Sequence, residues 1–177
     1  MKLVIALGEK KNKGLCVPEN TEPTKNVVTL SIFSMLQEKI QNAKCLDLYS
    51  GSGDLGFTAL SLGAKECTFV DNNPNAIDCI EKNSKNLSFE KSSLITENEA
   101  DVFLSALSST KYDVIFLDPP YKLTIDNIAK KLLKCISVNG VLVYLHHKNT
   151  KVFLEGFRLS KQRFYGKTGV SIFILDF

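Results

Sequence analysis

The sequence lacks any apolar run long enough to span a bilayer, which takes roughly 18 consecutive residues. It also lacks the pattern of a secretory leader, because its short apolar start ends at Gly8 and a lysine cluster follows where a longer apolar region would stand. Both absences argue against the membrane and secreted classes. We expect a cytoplasmic protein without a membrane partner.

Paired cysteines and clustered histidines are also missing. The five cysteines stand singly, with no C-x-x-C pair, and neither histidine lies at ligand spacing from them. We therefore expect neither a disulfide framework nor a zinc or other metal site. We interpret the cysteines as small buried apolar residues in a reducing compartment. They are Cys16, Cys45, Cys67, Cys79 and Cys135.

The chain has no strong excess of charge of either sign. Its net charge of +3 permits a nucleic-acid partner without requiring one. The basic residues are concentrated in an N-terminal arm and near the C-terminus, where they are either phosphate contacts or simply solvated faces. They are Lys10, Lys11, Lys13 and Lys25 in the arm, and Lys148, Lys151, Arg158, Lys161, Arg163 and Lys167 in the C-terminal stretch.

The composition that remains is that of an ordinary globular protein, with 44% apolar and 23% charged residues. A chain of 177 residues buries about two-thirds of its unfolded surface, so it can hold its own core. It contains no internal repeat, low-complexity tract or linker. We predict one monomeric unit, in which residues 1–43 form an arm and a helix and belong to the same domain as residues 44–177.

The apolar pattern predicts an α/β fold. Val27 to Ile40 has a period close to 3.6, which indicates a helix, and Thr24 is its expected cap. From Lys44 onward, short apolar runs alternate with helical stretches, which indicates a parallel sheet covered on both faces. The predicted strands are Cys45–Tyr49, Cys67–Asp71, Ser93–Thr96, Tyr112–Asp118 and Val141–His146, followed by an antiparallel edge hairpin of Phe157–Phe164 and Val170–Phe177. The predicted helices are Leu55–Leu62, Pro74–Leu87, Ala100–Leu107 and Ile125–Ile136.

A glycine-rich loop follows the first predicted strand. Ser50-Gly51-Ser52-Gly53-Asp54-Leu55-Gly56 matches G-x-G-x-x-G between a strand and a helix, the context in which this pattern binds a nucleotide-like cofactor. Asp71 stands at the end of the next strand, where a carboxylate can hold ribose hydroxyls. The pattern predicts a ribose-bearing cofactor. The alternative is close packing of helix on strand without a ligand.

The charge around the loop bears on the identity of the cofactor. A nicotinamide or flavin cofactor presents a pyrophosphate to the helix N-terminus, and a nearby carboxylate disfavours it. Asp47 precedes the loop and Asp54 lies within it, so the setting suits a cationic ligand better. S-adenosylmethionine carries a sulfonium, an ammonium and one ribose, and it is the favoured cofactor. A nicotinamide-dependent oxidoreductase is the alternative.

The fourth predicted strand ends in Asp118-Pro119-Pro120-Tyr121. Ligands of open α/β sheets bind beyond the carboxyl ends of the strands, so this tetrad should share a crevice with the glycine loop. Asp118 and the carbonyl of Pro119 can each accept one N–H of an exocyclic base amine and orient its lone pair. Pro119 and Pro120 have no N–H donor, and Tyr121 offers a face on which an extruded base can stack. The alternative is a proline turn after a buried strand.

The two motifs together resemble those of the amino-directed methyltransferases of the Rossmann-like class. The greatest similarity is to the RsmD family, bacterial enzymes that methylate the N2 amine of a guanine in small-subunit (16S) ribosomal RNA. It extends to the segments Gly8 to Gly14, Glu22 to Val28 and Tyr165 to Val170. The resemblance implies a seven-stranded sheet with a C-terminal hairpin, a methyltransferase domain over residues 44–177, S-adenosylmethionine as the methyl donor, and no metal.

The resemblance also assigns residues to the cofactor. Asp47 and Gly51 to Gly53 would hold the methionine part, Asp71 the ribose and Glu99 the adenine region. Two neighbours, Asn98 and Asp101, compete with Glu99 for that role, and Tyr49 and Asn72 are included in the cofactor site. The arm departs from the family, which usually has several arginines and an Arg-Pro-Thr segment where this chain has lysines and Glu22 before Pro23. Lysine lacks the bidentate fork of arginine, which leaves the RNA target open.

We expect an enzyme that methylates the N2 amine of a guanine in ribosomal RNA, either free or in the small ribosomal subunit. Asp118 would orient the amine, Tyr121 would stack the base, and the two basic stretches would hold phosphates. An adenine-N6 methyltransferase acting on DNA or RNA is the alternative enzyme, because the same tetrad serves that amine. A non-catalytic RNA-binding or assembly factor that kept the fold is the alternative from another class.

Overall fold

Seven strands and five α-helices organise the part of the chain that the computed structural model describes, which is residues 3–19, 21, 23–120 and 125–176. The strands are β1 (Lys44–Leu48), β2 (Glu66–Asp71), β3 (Ser93–Glu97), β4 (Tyr112–Leu117), β5 (Ile136–His147), β6 (Phe157–Tyr165) and β7 (Thr168–Leu175). The helices are α1 (Asn26–Leu36), α2 (Asp54–Ser61), α3 (Pro74–Leu87), α4 (Ala100–Ala106) and α5 (Asp126–Cys135), with 3₁₀ turns at Gln37–Ile40 and Glu90–Ser92.

The strands form one sheet in the order β3-β2-β1-β4-β5-β7-β6. Every pairing among β1 to β5 is parallel, whereas β7 pairs antiparallel with both β5 and β6. The predicted α/β fold, with a mostly parallel sheet and a C-terminal hairpin, is confirmed. The chain order of the strands reverses between β1 and β4, and the crevice beyond the carboxyl ends of these strands is where such sheets bind ligands.

The central strands are mostly apolar because helices cover both faces of the sheet. Phe57 and Phe69 lie in the core beneath α1, α2 and α3, while Leu46 and Ile115 lie in the core beneath α4 and α5. All four side chains are fully buried, and each such burial contributes about 1.5–3 kcal/mol. In the described ranges, no helix combines the length and the apolar character needed to cross a membrane.

The first helix differs from its prediction at both ends. It ends at Leu36, because Gln37 adopts a positive φ of 50° and the chain continues as a 3₁₀ turn. Lys25 occupies the N-cap position and makes no side-chain cap bond. Thr24, the predicted cap, instead donates its hydroxyl to Asp118. The cap prediction is wrong because a distant carboxylate competes for the hydroxyl with the local helix N-terminus.

The N-terminal arm folds back on itself and packs on α2. Val4 pairs antiparallel with Gly14, which puts three lysines in the turn between them. We call Lys10, Lys11 and Lys13 the arm lysines. The N–H of Glu9 donates to the carbonyl of Ser61, the last residue of α2, at 2.8 Å. The arm lysines therefore lie near the end of α2 that is remote from the glycine loop.

The arm is also joined to α3, in part by a disulfide. Cys16 and Cys79 are bonded with their Cα atoms 5.2 Å apart, so the expectation of wholly unpaired cysteines is wrong. One turn further along α3, Asn83 accepts the N–H of Cys16 (2.7 Å) and donates to the carbonyls of Cys16 (3.0 Å) and Ser52 (2.9 Å). The other three cysteines are free and buried, as predicted. Within the described part of the chain, no group of three or more His, Cys, Asp or Glu residues is placed to hold a metal ion.

Candidate active site

The glycine loop makes the sharp turn from β1 into α2. Tyr49, Gly51 and Gly53 have positive φ values of 61°, 55° and 77°. Tyr49 is notable because a non-glycine residue with a positive φ is strained, and such residues cluster at functional sites. The hydroxyl of Ser50 accepts the N–H of Val70 at 2.9 Å and ties the loop to β2. The conformation of the loop is therefore fixed by its bond to β2.

Two glycines of the loop motif meet different surroundings. A Cβ built on Gly51 would find no heavy atom within 4 Å, so a ligand can approach the backbone there. A Cβ built on Gly56 would lie 2.2 Å from Cε1 of Phe69, so this glycine allows α2 to pack closely on β2. The positive φ of Gly51 matches the tight turn made by the first glycine of such loops, and the close packing at Gly56 matches the role of the third.

We expect Gly51→Ala and Gly56→Ala to differ in their effect on cofactor binding. Gly56→Ala forces Phe69 away from α2 and lowers the free energy of unfolding by about 1–3 kcal/mol. Gly51→Ala meets no atom, and its positive φ of 55° costs about 1–2 kcal/mol of stability, but only this methyl group enters the proposed cofactor space and weakens S-adenosylmethionine binding about tenfold or more. Urea denaturation and calorimetric titration measure the two effects. Wild-type affinity in Gly51→Ala would place the cofactor elsewhere.

Asp71 holds the glycine loop with its carboxylate. Its Oδ2 accepts the N–H of Gly51 (2.8 Å), and its Oδ1 accepts the N–H of Asn73 (2.9 Å). These two bonds orient the group, and each carboxylate oxygen can accept a further hydrogen bond. The structure thus brings Asp71 and the loop together as predicted, and the role of Asp71 toward a ribose stays a prediction.

Two further acids are buried beside the loop. Asp47, in β1, accepts the N–H of Gly56 at 2.9 Å, and burial raises its pKa well above the usual range. Asp54, the first residue of α2, accepts the hydroxyl of Thr29 in α1 at 2.8 Å. Burial raises the pKa of Asp54 to about 6. Sequence reasoning missed Thr29, which no local motif distinguishes.

Asp118 follows β4 and stands next to β1, at the reversal of strand order. Its N–H points to the carbonyl of Leu48 at 3.4 Å, and its Oδ2 accepts the hydroxyl of Thr24 at 3.0 Å. Burial raises the pKa of Asp118 to about 6, against the opposing effect of the Thr24 bond. Pro119 is buried and Pro120 is exposed. Tyr121 lies outside the described residues, so the stacking role stays a prediction.

The buried acids Asp47 and Asp54 and the half-buried Asp118 interact through their charges. After burial and the opposing hydrogen bond from Gly56, repulsion by Asp118 and by Asp54 raises the pKa of Asp47 further. Repulsion by Asp118 also raises the pKa of Asp54. A cation in this crevice would stabilise the ionised carboxylates, whereas a pyrophosphate would add to the repulsion. The site is therefore suited to a ligand with a sulfonium or an ammonium group.

The remaining predicted cofactor residues lie near the ends of β1, β2 and β3. Asn72 donates its side-chain amide to Oε1 of Glu99 at 2.7 Å. Burial, and then the charges of Glu99 and Asp101, raise the pKa of Tyr49 to about 12. The carboxylate of Asp101 is engaged by Lys131 of α5 at 2.6 Å. Of the two acids predicted to compete for the adenine region, Glu99 is thus the one joined to Asn72, another predicted cofactor residue.

Two exposed lysines lie at the same edge of the sheet as Asp118. The last residue of β5, His147, pairs with Thr168 at the start of β7, so the hairpin turn stands at the carboxyl end of the parallel strands. The N–H of Lys148 donates to the carbonyl of Lys167 at 2.8 Å. We call Lys148 and Lys167 the hairpin-turn lysines. The arm lysines lie toward the opposite edge, because α2 runs back along the sheet from the glycine loop.

Comparisons with known proteins give a consistent picture. A family model described as Conserved hypothetical protein 95 matches residues 3–174. YlbH of Bacillus subtilis, which is named provisionally as an rRNA methyltransferase, is 34% identical over 178 residues, or 94% of this chain and 95% of YlbH. Ribosomal RNA small subunit methyltransferase D of Haemophilus influenzae is 30% identical over 157 residues, or 84% of this chain and 80% of the relative. Among solved structures, yhhF of Escherichia coli, named provisionally as a methyltransferase, shares the fold with a TM-score of 0.90, 23% identity and 99% coverage of both chains.

Proposed function

The chain belongs to the RsmD family, and from this premise we propose that it transfers a methyl group from S-adenosylmethionine to the N2 amine of a guanine in small-subunit ribosomal RNA. One observation carries the proposal. Asp118 and the glycine loop stand side by side at the reversal of strand order, with the N–H of Asp118 directed at the carbonyl of Leu48 in β1. A methyl-acceptor site and a cofactor site would thus adjoin.

The residues of the crevice fit the cofactor. The open space at Gly51 and the acids Asp47 and Asp54 suit the cationic methionine part, and the oriented carboxylate of Asp71 suits the ribose. Glu99, with Tyr49 and Asn72 beside it, would meet the adenine region. S-adenosylmethionine held there would supply a methyl group on a positively charged sulfur for transfer to the amine nitrogen.

Asp118 and Pro119 would prepare the amine for this attack. The lone pair of an exocyclic amine is delocalised into the base, so the nitrogen is a poor nucleophile until it is oriented. A carboxylate oxygen of Asp118 and the carbonyl of Pro119 would each accept one N–H and turn the lone pair toward the methyl group. The proton released from the nitrogen would leave to solvent or through Asp118.

The assay that tests the function uses radiolabelled S-adenosylmethionine with naked small-subunit RNA and with small-subunit particles from cells that lack this protein. Digestion of the product to nucleosides identifies the methylated base. We expect N2-methylguanosine. N6-methyladenosine would establish the adenine-directed alternative, and absence of transfer with intact RNA binding would establish the non-catalytic alternative.

We expect the hairpin-turn lysines to contribute more to RNA binding than the arm lysines. Lys148 and Lys167 lie at the same edge of the sheet as the proposed acceptor site, so their replacement by alanine should remove about two phosphate contacts and reduce the salt slope of RNA affinity by about two. The double replacement of Lys11 and Lys13, also both exposed, is the matched control because it removes the same charge at the other edge of the sheet. Filter binding over a series of salt concentrations measures both. Equal slopes for the two double variants would contradict the expected docking edge.

A further inference from the structure

Thr24 stands where the arm meets α1, and its hydroxyl reaches the crevice. The hydroxyl lies 3.0 Å from Oδ2 of Asp118 and must be the donor when the carboxylate is ionised. A second threonine of the same stretch, Thr29, donates to Asp54 at 2.8 Å. One segment of chain thus supplies the hydroxyl that holds each of two acids on different elements of the site.

The bond from Thr24 makes the two oxygens of Asp118 unequal toward a substrate. Oδ2 already accepts one hydrogen bond, and among the residues that the structure describes none donates to Oδ1, so Oδ1 is the oxygen with both lone pairs open to a substrate amine. Rotation of the carboxylate about its Cβ–Cγ bond would break the bond to Thr24, so Oδ1 keeps a defined direction. Methyl transfer requires such a direction, because the amine lone pair must point along the line to the methyl group.

We propose that Thr24 is a positioning residue for methyl transfer, which orients Asp118 so that its Oδ1 accepts the substrate amine. This inference rests on the proposed function, since it assigns Thr24 a role at the same acceptor site. It also gives the Pro23-Thr24 segment a task other than capping α1. The helix can dispense with that cap, because its N-terminus begins at Lys25 without a side-chain bond.

The same bond favours the ionised form of Asp118. Burial raises the pKa of this carboxyl to about 6, and the Thr24 hydroxyl lowers it. Among the described residues, the acids whose charges interact with Asp118 are Asp54 at the start of α2 and Asp47 in β1. Removal of the hydroxyl therefore raises the pKa of Asp118 and leaves less of the acceptor ionised at neutral pH.

The test compares Thr24→Val, which keeps the shape and removes the donor, with Thr24→Ser, which keeps the donor. At saturating substrates we expect kcat to fall roughly tenfold in Thr24→Val and to recover in Thr24→Ser, while the Kd for S-adenosylmethionine stays unchanged in both. The acid limb of the kcat profile should move to higher pH in Thr24→Val. Thr21→Val is the matched control, because the hydroxyl of Thr21 also bonds within the arm, to the carbonyl of Pro18 at 2.7 Å.

A second measurement does not depend on activity. Carbon-13 NMR of the Asp118 carboxyl should show a titration midpoint that is higher in Thr24→Val than in wild type and unchanged in Thr21→Val. An unmoved midpoint, or a wild-type kcat in Thr24→Val, overturns the role of Thr24 and leaves the proposed function in place. Failure of the wild-type chain to methylate any RNA overturns the proposed function instead.

Discussion

Replacing Asp118 with alanine should lower kcat for methyl transfer by about 10²–10³-fold, the cost of losing one preorganised hydrogen-bonding group at a reacting centre. The variant keeps the glycine loop and Asp71, so its Kd for S-adenosylmethionine should change much less than kcat. Single-turnover transfer to RNA and calorimetric titration separate the two quantities. Equal activity in Asp118→Ala and wild type would remove the role that we assign to this carboxylate.

Asp118→Asn and a control at the other end of β4 refine this result. Asparagine keeps one carbonyl acceptor but no charge, so we expect its kcat to lie between those of alanine and wild type. Asp113→Ala removes a carboxylate that accepts the N–H of Lys44 at 2.9 Å, far from the crevice along the same strand, and should leave kcat unchanged. Since burial raises the pKa of Asp118 to about 6, the ionised acceptor is lost as the pH falls through that value. The rate should fall with it.

Replacing Asp71 with alanine should raise the Kd for S-adenosylmethionine by about 10- to 100-fold, because hydrogen bonds to a charged group contribute about 1.5–3 kcal/mol. The loss includes the bond from Gly51 to Asp71, which orients the loop. At saturating cofactor, kcat should stay close to wild type. Calorimetric titration with S-adenosylhomocysteine measures the affinity without turnover.

Two comparisons separate the ribose contact from a general loss of stability. Asp113→Ala also removes a carboxylate that accepts a backbone N–H, and it should keep the wild-type affinity. The wild-type protein should bind S-adenosylhomocysteine more tightly than its 2′,3′-dideoxy analogue, and Asp71→Ala should not distinguish them. If the variant still discriminates between the two ligands, Asp71 is not the ribose contact.

Much of the fold could be predicted because its signals are local. The helix Pro74–Leu87 was predicted with both of its ends, since Asn73, Pro74 and the apolar spacing that follows all lie within one short segment. The strands were predicted to within a few residues wherever an apolar run is bounded by turn residues. β5 is the exception, because it begins at Ile136 directly after α5 and the polar residues before Val141 obscure its start.

The contacts of the candidate site also include some that local sequence predicts and some that it does not. The glycine loop and Asp71 were predicted as neighbours, because parallel strands bring their carboxyl ends to one edge and the spacing of the motif follows from one β-α-β unit. The contact between Thr24 and Asp118 could not be predicted, because Asp118 lies 94 residues further along the chain. A threonine before a helix is locally indistinguishable from a cap.

The sequence by itself determined the α/β class, the glycine loop between β1 and α2, and the acid at the end of β4, because periodicity and turn chemistry act over a few residues. Only the tertiary structure decided that Thr24 holds Asp118, that Cys16 meets Cys79, and that the arm lysines and the hairpin-turn lysines lie at opposite edges of the sheet. These contacts depend on how the arm packs across α2 and α3. No local pattern specifies that packing, because it is set by the shapes and unpaired polar groups of surfaces that are far apart in sequence.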